Sequence, residues 1–314
     1  RDFCLSRGLG DVYKRQARPH PPVRRIPKCG YPYKNACPRE VIFFSLLNDH
    51  QNKANVIEIY DFCSLKLQIM RYFIEFSYNG AHFFGYQIQP KQITVQEVLE
   101  KALSTLLRED IKTTGAGRTD TGVHARKIFA HFDTDQPISA DLVKRLNAFL
   151  PPSISIKRIF QVEEEMHARF SAVYRTYEYH ISLEKDPFTE AFSWQMWRQK
   201  LDVEKMNEAC KILFEYEDFT SFSKLHTDVK TNNCKIYHAQ WNQKGNSLVF
   251  TISANRFLRN MVRAIVGTLV EVGLGKIKPE DLHDIIQAKY RNKAGASAPA
   301  HGLYLVDVGY KDEF

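Results

Sequence analysis

One glycine-rich segment of the 314-residue chain combines a carboxylate with a basic side chain and is a candidate catalytic loop. The segment reads Gly115-Ala-Gly-Arg-Thr-Asp-Thr-Gly-Val-His-Ala125. Its glycines permit positive φ angles and close backbone approach, so the loop is able to hold Asp120 in a fixed pose near Arg118. A carboxylate held in this way is able to act as a nucleophile or as a base.

Other interpretations of this loop stay open on the residue pattern alone. By composition it is equally a hairpin loop that contains a turn aspartate. A phosphate-binding loop would open a helix, whereas this segment leads into a predicted strand at 127–134. The triplet Asp120-Thr-Gly122 also occurs in aspartic peptidases, whose chemistry requires two carboxylates that share one proton. Residues 70–314 contain no second such triplet, and Arg118 would keep the carboxylates ionised.

A second candidate is an arginine inside a predicted apolar helix. Arg263 lies in Phe257-Leu-Arg-Asn-Met-Val-Arg-Ala-Ile-Val-Gly-Thr-Leu-Val270, where nearly every neighbour is apolar. A guanidinium buried without a carboxylate is costly, so Arg263 requires an acid from elsewhere in the chain, and Asp120 is a candidate. The alternative is that the Arg263 side chain extends along the apolar surface to reach solvent.

Tyrosines alternate with other residues on one predicted strand, residues 174–182. Tyr177 and Tyr179 share one face of this strand with Arg175, and Tyr174 takes the other face. Aromatic rings and arginines on a sheet form base-stacking platforms in some nucleic-acid-binding proteins. The same spacing is equally typical of ordinary sheet packing, and both interpretations stay open.

Hydrophobic periodicity after Met70 predicts two successive β-α-β-β-α-β units that position these residues. A capping-box signature, Thr94-Val-Gln-Glu97, begins the first helix. The first unit is predicted to contain strands at 71–78, near 110–115, at 127–134 and at 153–162, with a second helix at 140–149. The second unit is predicted to contain strands at 174–182, 233–242, 247–254 and 303–310, with helices at 203–213 (capped by Asp202), at 257–272 and from Pro279.

The predicted fold class is therefore α+β, with two ferredoxin-like halves at residues 70–165 and 166–314. Their sheets are expected to lie side by side with a central cleft. The hydrophobic content of 44% and charged content of 25% are typical of a globular protein with a sizeable core. No run approaches eighteen apolar residues, so no membrane-spanning helix is predicted.

Residues 1–69 differ from the rest in composition. They contain 12 Lys and Arg against 6 Asp and Glu, whereas residues 70–314 contain 32 against 30, so most of the net charge of +8 lies in this first segment. Its four cysteines lack the close pairs of a zinc module, and its acids argue against a transit peptide. We expect a non-native or disordered leader before a start at Met70, since Gly8-Leu-Gly-Asp-Val-Tyr-Lys-Arg-Gln16 resembles translated adapter sequence. A folded module is the remaining alternative.

Only Cys210 and Cys234 follow Met70. Two cysteines argue against a disulfide framework and favour a reducing compartment. In the absence of a signal-peptide pattern, we expect the cytoplasm.

Taken in order, the motifs of residues 70–314 resemble those of the TruA-type tRNA pseudouridine synthases, and residues 1–69 have no counterpart. Besides the loop at 115–125, the shared segments are Tyr78-Asn-Gly-Ala-His-Phe-Phe-Gly-Tyr-Gln87, Asn147-Ala-Phe-Leu-Pro151, His167-Ala-Arg-Phe-Ser-Ala172 with Arg175-x-Tyr177, Asp218-Phe-Thr-Ser-Phe222, Phe257-Leu-Arg-Asn-Met-Val-Arg263 with Gly267, and Gly302-Leu-Tyr-Leu305. There are two departures. Thr121 stands where the family usually has alanine, and Pro299-Ala-His-Gly302 replaces the commoner Pro-Pro-x-Gly.

The resemblance implies an isomerase that converts uridines 38 to 40 of the tRNA anticodon stem-loop to pseudouridine, with no cofactor and no metal. By its motif position Asp120 is the family's catalytic aspartate, and the implied substrate-binding residues are Tyr177, Arg118, Arg263, Thr119 and His124. Tyr177 would stack on the flipped-out uracil, and Arg118 would fill the gap left in the stem. A homodimer that binds tRNA across both subunits is also implied, with the central cleft of the fold as the RNA-binding site. The alternative is a non-catalytic RNA-binding protein of the same fold.

Overall fold

The computed structural model describes residues 69–224 and 231–311, so the predictions for residues 1–68 lie outside the described residues. Within the described part, nine strands form one sheet. The strands are β1 (Met70–Tyr78), β2 (Thr114–Gly115), β3 (His124–Thr134), β4 (Ile154–Val162), β5 (Ala172–Ser182), β6 (Trp194–Gln195), β7 (Ile236–Lys244), β8 (Ser247–Ala254) and β9 (Leu303–Tyr310). The helices are α1 (Val95–Leu107), α2 (Leu142–Phe149), α3 (Val203–Ile212), α4 (Met261–Gly273) and α5 (Asp281–Gln287). The predicted α+β class is confirmed.

Strand β3 is where two four-stranded parts of the sheet meet. In the first part β4, β1, β3 and β2 lie in that order, and all neighbours are antiparallel. In the second part the order is β9, β5, β8 and β7, again antiparallel, with the short β6 beside β5. The parts join where His124 and Ala125 of β3 pair in parallel with Tyr304 and Leu305 of β9. The result is one continuous sheet, while the RNA-binding cleft and the boundary at residue 165 stay predictions.

Two helices begin at the side chains that the sequence indicated. The Thr94 hydroxyl accepts a hydrogen bond from the Glu97 N–H at 3.4 Å, which caps α1. The Asp202 carboxylate accepts one from the Lys205 N–H at 3.1 Å, which caps α3. The apolar face of α1 is buried at the helical spacing that the sequence showed, through Val95, Leu99, Ala102 and Leu103.

Other boundaries differ from the prediction for identifiable physical reasons. Helix α4 begins at Met261 and not at Phe257, because Asn260 has a φ of +67°, a left-handed conformation that cannot belong to a right-handed helix. Strand β3 begins at His124 and not at residue 127, because its first residues pair with β9 from the far end of the chain. Periodicity within β3 carries no sign of that pairing.

Buried apolar side chains form two clusters, one for each part of the sheet. The first contains side chains of α1, α2, β1 and β3, and the second contains those of α3, α4, α5, β7 and β8. Tyr177 of β5 packs against both clusters, so its position depends on both parts. Helix α4 is buried along almost its whole length. Even so, no helix of residues 69–224 or 231–311 has the length and apolarity needed to cross a membrane.

Replacing a ring of the second cluster tests how far the sheet depends on it. Phe250 is fully buried and stacks on Trp241 with ring centroids 4.9 Å apart. We expect Phe250→Ala to lower the free energy of unfolding by about 3–5 kcal/mol, because it removes a large buried ring and leaves a cavity. Phe188 is 89% exposed, so Phe188→Ala should change that free energy by less than about 0.5 kcal/mol. Urea denaturation measures both, and equal losses would contradict the assignment of the cluster.

Candidate active site

Asp120 lies in the loop between β2 and β3, and the segment that follows β1 holds this loop in place. The Tyr86 N–H donates to the Thr119 carbonyl at 3.2 Å, and the Gly122 N–H donates to the Phe83 carbonyl at 3.4 Å. These bonds lie one residue before and two residues after Asp120. The backbone that carries the carboxylate is therefore fixed by a neighbouring segment and not only by its own turn.

Close packing between the two segments explains two of the glycines. Gly85 has a φ of +88°, and a Cβ at this position would lie 2.7 Å from the Thr119 carbonyl oxygen. Gly122 has a φ of +79°. Both positions therefore require glycine, because a side chain would be strained and, at Gly85, would displace the loop. The glycine pattern reflects close backbone approach, as the sequence indicated.

The hydroxyl of Thr119 makes a hydrogen bond with a buried tyrosine. Its hydroxyl lies 2.8 Å from the hydroxyl of Tyr78, which is buried. Burial raises the pKa of Tyr78 far above its ordinary value, so this hydroxyl stays protonated. The motif implied that Thr119 binds substrate. The structure shows a hydrogen bond of Thr119 that helps to fix the loop, and substrate binding by Thr119 stays a prediction.

His124 is likewise engaged inside the protein. Its Nδ1 accepts the Gly80 N–H at 3.1 Å, its Nε2 lies 3.1 Å from the His301 carbonyl, and its ring stacks on Tyr304 at 4.7 Å. Burial lowers the pKa of His124, in keeping with a neutral ring. Both nitrogens are used and the side chain is only 2% exposed. His124 therefore joins the loop to the segment that leads into β9, and substrate binding by His124 stays a prediction.

Arg263 and Asp120 form the ion pair that the sequence left open. Arg263 NH1 donates to Asp120 Oδ2 at 3.2 Å, and the Arg263 and Asp120 side chains are 21% and 32% exposed. Arg263 Nε donates to the Ala298 carbonyl at 2.7 Å. The guanidinium is thus held on two sides, and the Arg263 side chain does not extend freely into solvent.

The loop before β9 determines where Arg263 lies. The Ala298 N–H donates to the Arg263 carbonyl at 3.0 Å, and the Gly295 N–H donates to the Thr268 hydroxyl at 2.9 Å. Between these contacts Gly267 of α4 packs directly against the Ala296 carbonyl, and there is no room for a Cβ. Close packing of this loop on α4 therefore positions the carbonyl that orients the Arg263 guanidinium.

Tyr177 contributes a neutral hydroxyl near Asp120. Burial is the main cause that raises its pKa to about 12, and the charge of Asp120 adds to the effect while Arg175 opposes it. The ring meets Phe257 edge to face, with centroids 5.1 Å apart. Asp120, Arg263 and Tyr177 thus come together, although they come from a loop, a helix and a strand that are distant in sequence.

The other tyrosines of β5 do not join this group, so the predicted stacking platform is reduced to Tyr177. Tyr179 is buried and donates to the Pro299 carbonyl at 2.8 Å. Tyr174 donates to Asp307 Oδ2 at 2.8 Å. Arg175 donates to carbonyl oxygens of four residues and so ties several segments together, namely Ala172, Asn255, Ala116 and Arg169. Its role is structural.

Three arginines converge beside the Asp120 loop. They are Arg118, Arg169 and Arg256. Burial is the largest cause that lowers the pKa of Arg169, and the charges of Arg118 and Arg256 lower it further. In the described part of the chain no carboxylate lies within ion-pair distance of any of the three. The Arg169 guanidinium lies 5.5 Å from the ring of Phe170, which is 75% exposed. We call these four residues the basic cluster.

The sequence indicated Arg118 but missed Arg169 and Arg256. A signal was present, since Arg169 and Phe170 lie in the motif at 167–172 and Arg256 directly precedes the motif at 257–263. Only the tertiary fold brings these arginines together. As for metal binding, residues 69–224 and 231–311 contain no group of three His, Cys, Asp or Glu side chains that could hold an ion.

Comparison with known proteins identifies close relatives of this chain. A family model described as tRNA pseudouridine synthase matches residues 75–171 and 209–311. The chain is 55% identical over 246 residues to tRNA pseudouridine synthase A of Parabacteroides distasonis, which covers 77% of this chain and 97% of the relative. It is 53% identical over 250 residues to the protein of that name from Bacteroides fragilis (79% and 99%) and 41% identical over 241 residues to that of Bacillus pumilus (74% and 96%).

The contact between α4 and the loop before β9 is open to a direct test. We expect Gly267→Ala to lower the free energy of unfolding by about 1–3 kcal/mol, because the new Cβ meets the Ala296 carbonyl in a packed region. A Cβ at Gly117 would meet nothing within 4 Å, so Gly117→Ala is the matched control for folding. Urea denaturation measures both variants. An unchanged free energy for Gly267→Ala would show that the loop is not held in this way.

Proposed function

The chain belongs to the tRNA pseudouridine synthase family, and on this basis we propose that it acts on uridines 38 to 40 of the anticodon stem-loop, with Asp120 as its one catalytic residue and with no cofactor. It is an isomerase that converts uridine in tRNA to pseudouridine. The observation that supports the choice of Asp120 is its 3.2 Å ion pair with Arg263 beside the Tyr177 hydroxyl.

The reaction is an internal exchange of bonds. The bond from ribose C1′ to uracil N1 breaks, a bond from C1′ to C5 forms, N1 gains a proton and C5 loses one. Asp120 contributes either as a nucleophile at C1′ or as a base that removes a proton from the sugar, and both routes need a free carboxylate oxygen. In the described residues Oδ2 is bonded to Arg263 while Oδ1 accepts no hydrogen bond, so Oδ1 faces the substrate in our proposal.

Arg263 supports this role through charge and geometry. A guanidinium that donates a hydrogen bond to a carboxylate attracts its charge and fixes its orientation. The second bond, from Nε to the Ala298 carbonyl, keeps the guanidinium from rotating away. Arg263 therefore positions Asp120, and it is not itself proposed to transfer a proton.

Tyr177 is proposed to contact the uracil. A base inside an RNA stem has to leave the stack before its C1′ is reachable, and an aromatic ring then supports the extruded base. The edge-to-face packing of Phe257 fixes the Tyr177 ring. With a pKa near 12 the hydroxyl is protonated at neutral pH, which makes it a hydrogen-bond donor to uracil and a group that could assist proton transfer.

The basic cluster is proposed to bind the tRNA backbone beside the target nucleotide. Three guanidinium groups without a carboxylate partner in the described residues repel one another, and phosphate groups relieve that repulsion. The exposed ring of Phe170 offers a surface on which a base could stack. Arg118, next but one to Asp120, is the member proposed to fill the gap left by the flipped nucleotide.

We further propose a cytoplasmic homodimer. Residues 70–314 have a net charge of only +2, which is small for binding a polyanion, and a second copy would enlarge the basic surface that meets tRNA. Cys210 and Cys234 are buried free thiols, which fits a reducing compartment.

Tritium release from tRNA labelled at uridine C5 tests the proposed chemistry, because the C5 hydrogen leaves only when C5 becomes the glycosidic carbon. We expect Asp120→Asn to lower the rate of release on the order of 1,000-fold or more, since it removes the reacting group, while the dissociation constant for tRNA changes little. Asp110→Asn is the matched control, because Asp110 is exposed and its one ion pair among the described residues is with Lys112. Retained release by Asp120→Asn would refute the assignment, and binding without release by the unaltered chain would favour the non-catalytic RNA-binding protein.

The role of the basic cluster is tested by the salt dependence of binding. We expect Arg256→Ala to weaken tRNA binding and to reduce the slope of log affinity against log salt by about 1, the value for one lost phosphate contact. Lys205→Ala is the control, because Lys205 is exposed and already paired with Asp202. Filter binding at several salt concentrations measures both slopes, and an unchanged slope for Arg256→Ala would place the RNA elsewhere.

A further inference from the structure

Two imidazole rings hold the turn that carries half of the basic cluster. His167 Nδ1 accepts the Arg169 N–H at 3.1 Å and the Phe170 N–H at 3.2 Å. His131 of β3 accepts the Ala168 N–H with its Nδ1, also at 3.1 Å. The two rings pack edge to face with centroids 4.6 Å apart. Three consecutive backbone N–H groups are thus satisfied by side-chain nitrogens and not by a helix or a strand.

This arrangement requires both rings to be neutral. An imidazole nitrogen accepts a hydrogen bond only when it carries no proton, and a doubly protonated ring has two donors and no acceptor. Protonation of His131 or His167 would therefore set an N–H against backbone N–H groups. The turn that presents Arg169 and Phe170 would lose the bonds that shape it.

The surroundings of the rings resist protonation. His131 is buried and stacks on Phe73, and burial, His167 and Arg71 lower its pKa to about 4, with Asp133 as the opposing charge. Burial and the charges of Arg71 and Arg169 lower the pKa of His167.

Arg71 and a residue of β9 also hold the turn. Arg71 pairs with Asp133 at 2.8 Å and donates to the carbonyls of Glu164 and Met166. The charges of Glu164 and Glu165 contribute to raising the pKa of Arg71. Tyr310 of β9 donates its hydroxyl to the Ala168 carbonyl at 2.7 Å.

We propose that His131 and His167 are positioning residues for tRNA binding, which as neutral hydrogen-bond acceptors hold the turn at 167–171 so that Arg169 and Phe170 face the RNA. The inference rests on the proposed function, since it assumes that the basic cluster contacts tRNA. Arg175 connects this turn to the catalytic loop, because its guanidinium donates to the carbonyls of both Arg169 and Ala116. The position of the turn is therefore linked through Arg175 to that of the segment that carries Asp120.

Two replacements of His167 separate hydrogen-bond acceptance from ring packing. His167→Phe keeps a ring but has no acceptor, whereas His167→Asn keeps an acceptor oxygen near the place of Nδ1 and cannot be protonated there. We expect His167→Phe to raise the dissociation constant for unmodified tRNA about tenfold, and His167→Asn to raise it less than about threefold. Single-turnover tritium release at saturating tRNA should differ less than about threefold between the variants, because Asp120 is untouched. Thermal unfolding of the full chain shows that both are folded.

A double-mutant cycle shows whether His167 acts through the basic cluster. In an Arg169→Ala, Phe170→Ala background we expect His167→Phe to change the dissociation constant less than about twofold, because the groups that the turn presents are already absent. A full, additive tenfold loss in that background would overturn the proposal. So would equal affinities of the unaltered chain and His167→Phe, or an Asn variant as weak as the Phe variant.

The pH dependence of stability tests the neutral state of His131. Because its pKa in the folded protein lies below the ordinary 6.5, its contribution to stability is complete above pH 6.5 and is lost as the pH falls from 6.5 towards about 4. We expect His131→Asn to lose stability less steeply than the unaltered chain over this range in urea denaturation, and equal slopes would count against the proposal. Absence of tritium release from the unaltered chain would instead refute the proposed function while leaving these comparisons of affinity and stability readable.

Discussion

The contact between Asp120 and Arg263 joins two parts of the chain that are distant in sequence. Asp120 comes from the loop before β3, and Arg263 comes from α4 of the second part. Their separation is set by the parallel pairing of β3 with β9, which brings the loop that carries Asp120 against the C-terminal part of the chain. It is set equally by the loop before β9, whose Ala298 carbonyl orients the guanidinium. One carboxylate is thus positioned by strand register on one side and by helix packing on the other.

Neutral histidines recur as supports around this contact. His124, His131 and His167 each use Nδ1 to accept a backbone N–H, at a place where the chain follows neither a helix nor a strand ladder. Such N–H groups would be costly if buried without a partner. Imidazole suits these places because it provides an acceptor on a flat ring that also packs against aromatic neighbours. In this protein, histidine is therefore mainly a structural acceptor near the site and not a proton carrier.

The sequence predicted those features that depend on local patterns, and it failed where distant segments meet. Thr94 and Asp202 predicted the starts of two helices, because capping is a local interaction. The requirement of Arg263 for an acidic partner followed from its apolar neighbours in the sequence. The start of α4 was wrong because one left-handed residue, Asn260, interrupts an otherwise helical pattern. Thr119 and His124 lie in the same motif as Asp120 and make hydrogen bonds inside the protein, a detail that residue type does not reveal. Arg169 and Arg256 join Arg118 only through tertiary packing.

Strand β9 lies in the middle of the sheet although it comes last among the strands of the described chain. During synthesis on the ribosome, β3 and β5 therefore wait with open edges until residues 303–310 emerge. Long-range pairings of this kind form slowly, and unpaired edges favour association with other chains. The Arg263 guanidinium likewise gains its hydrogen bond to the Ala298 carbonyl only after the loop before β9 has docked on α4. The geometry of the Asp120–Arg263 ion pair therefore depends on a segment that is synthesised after both residues.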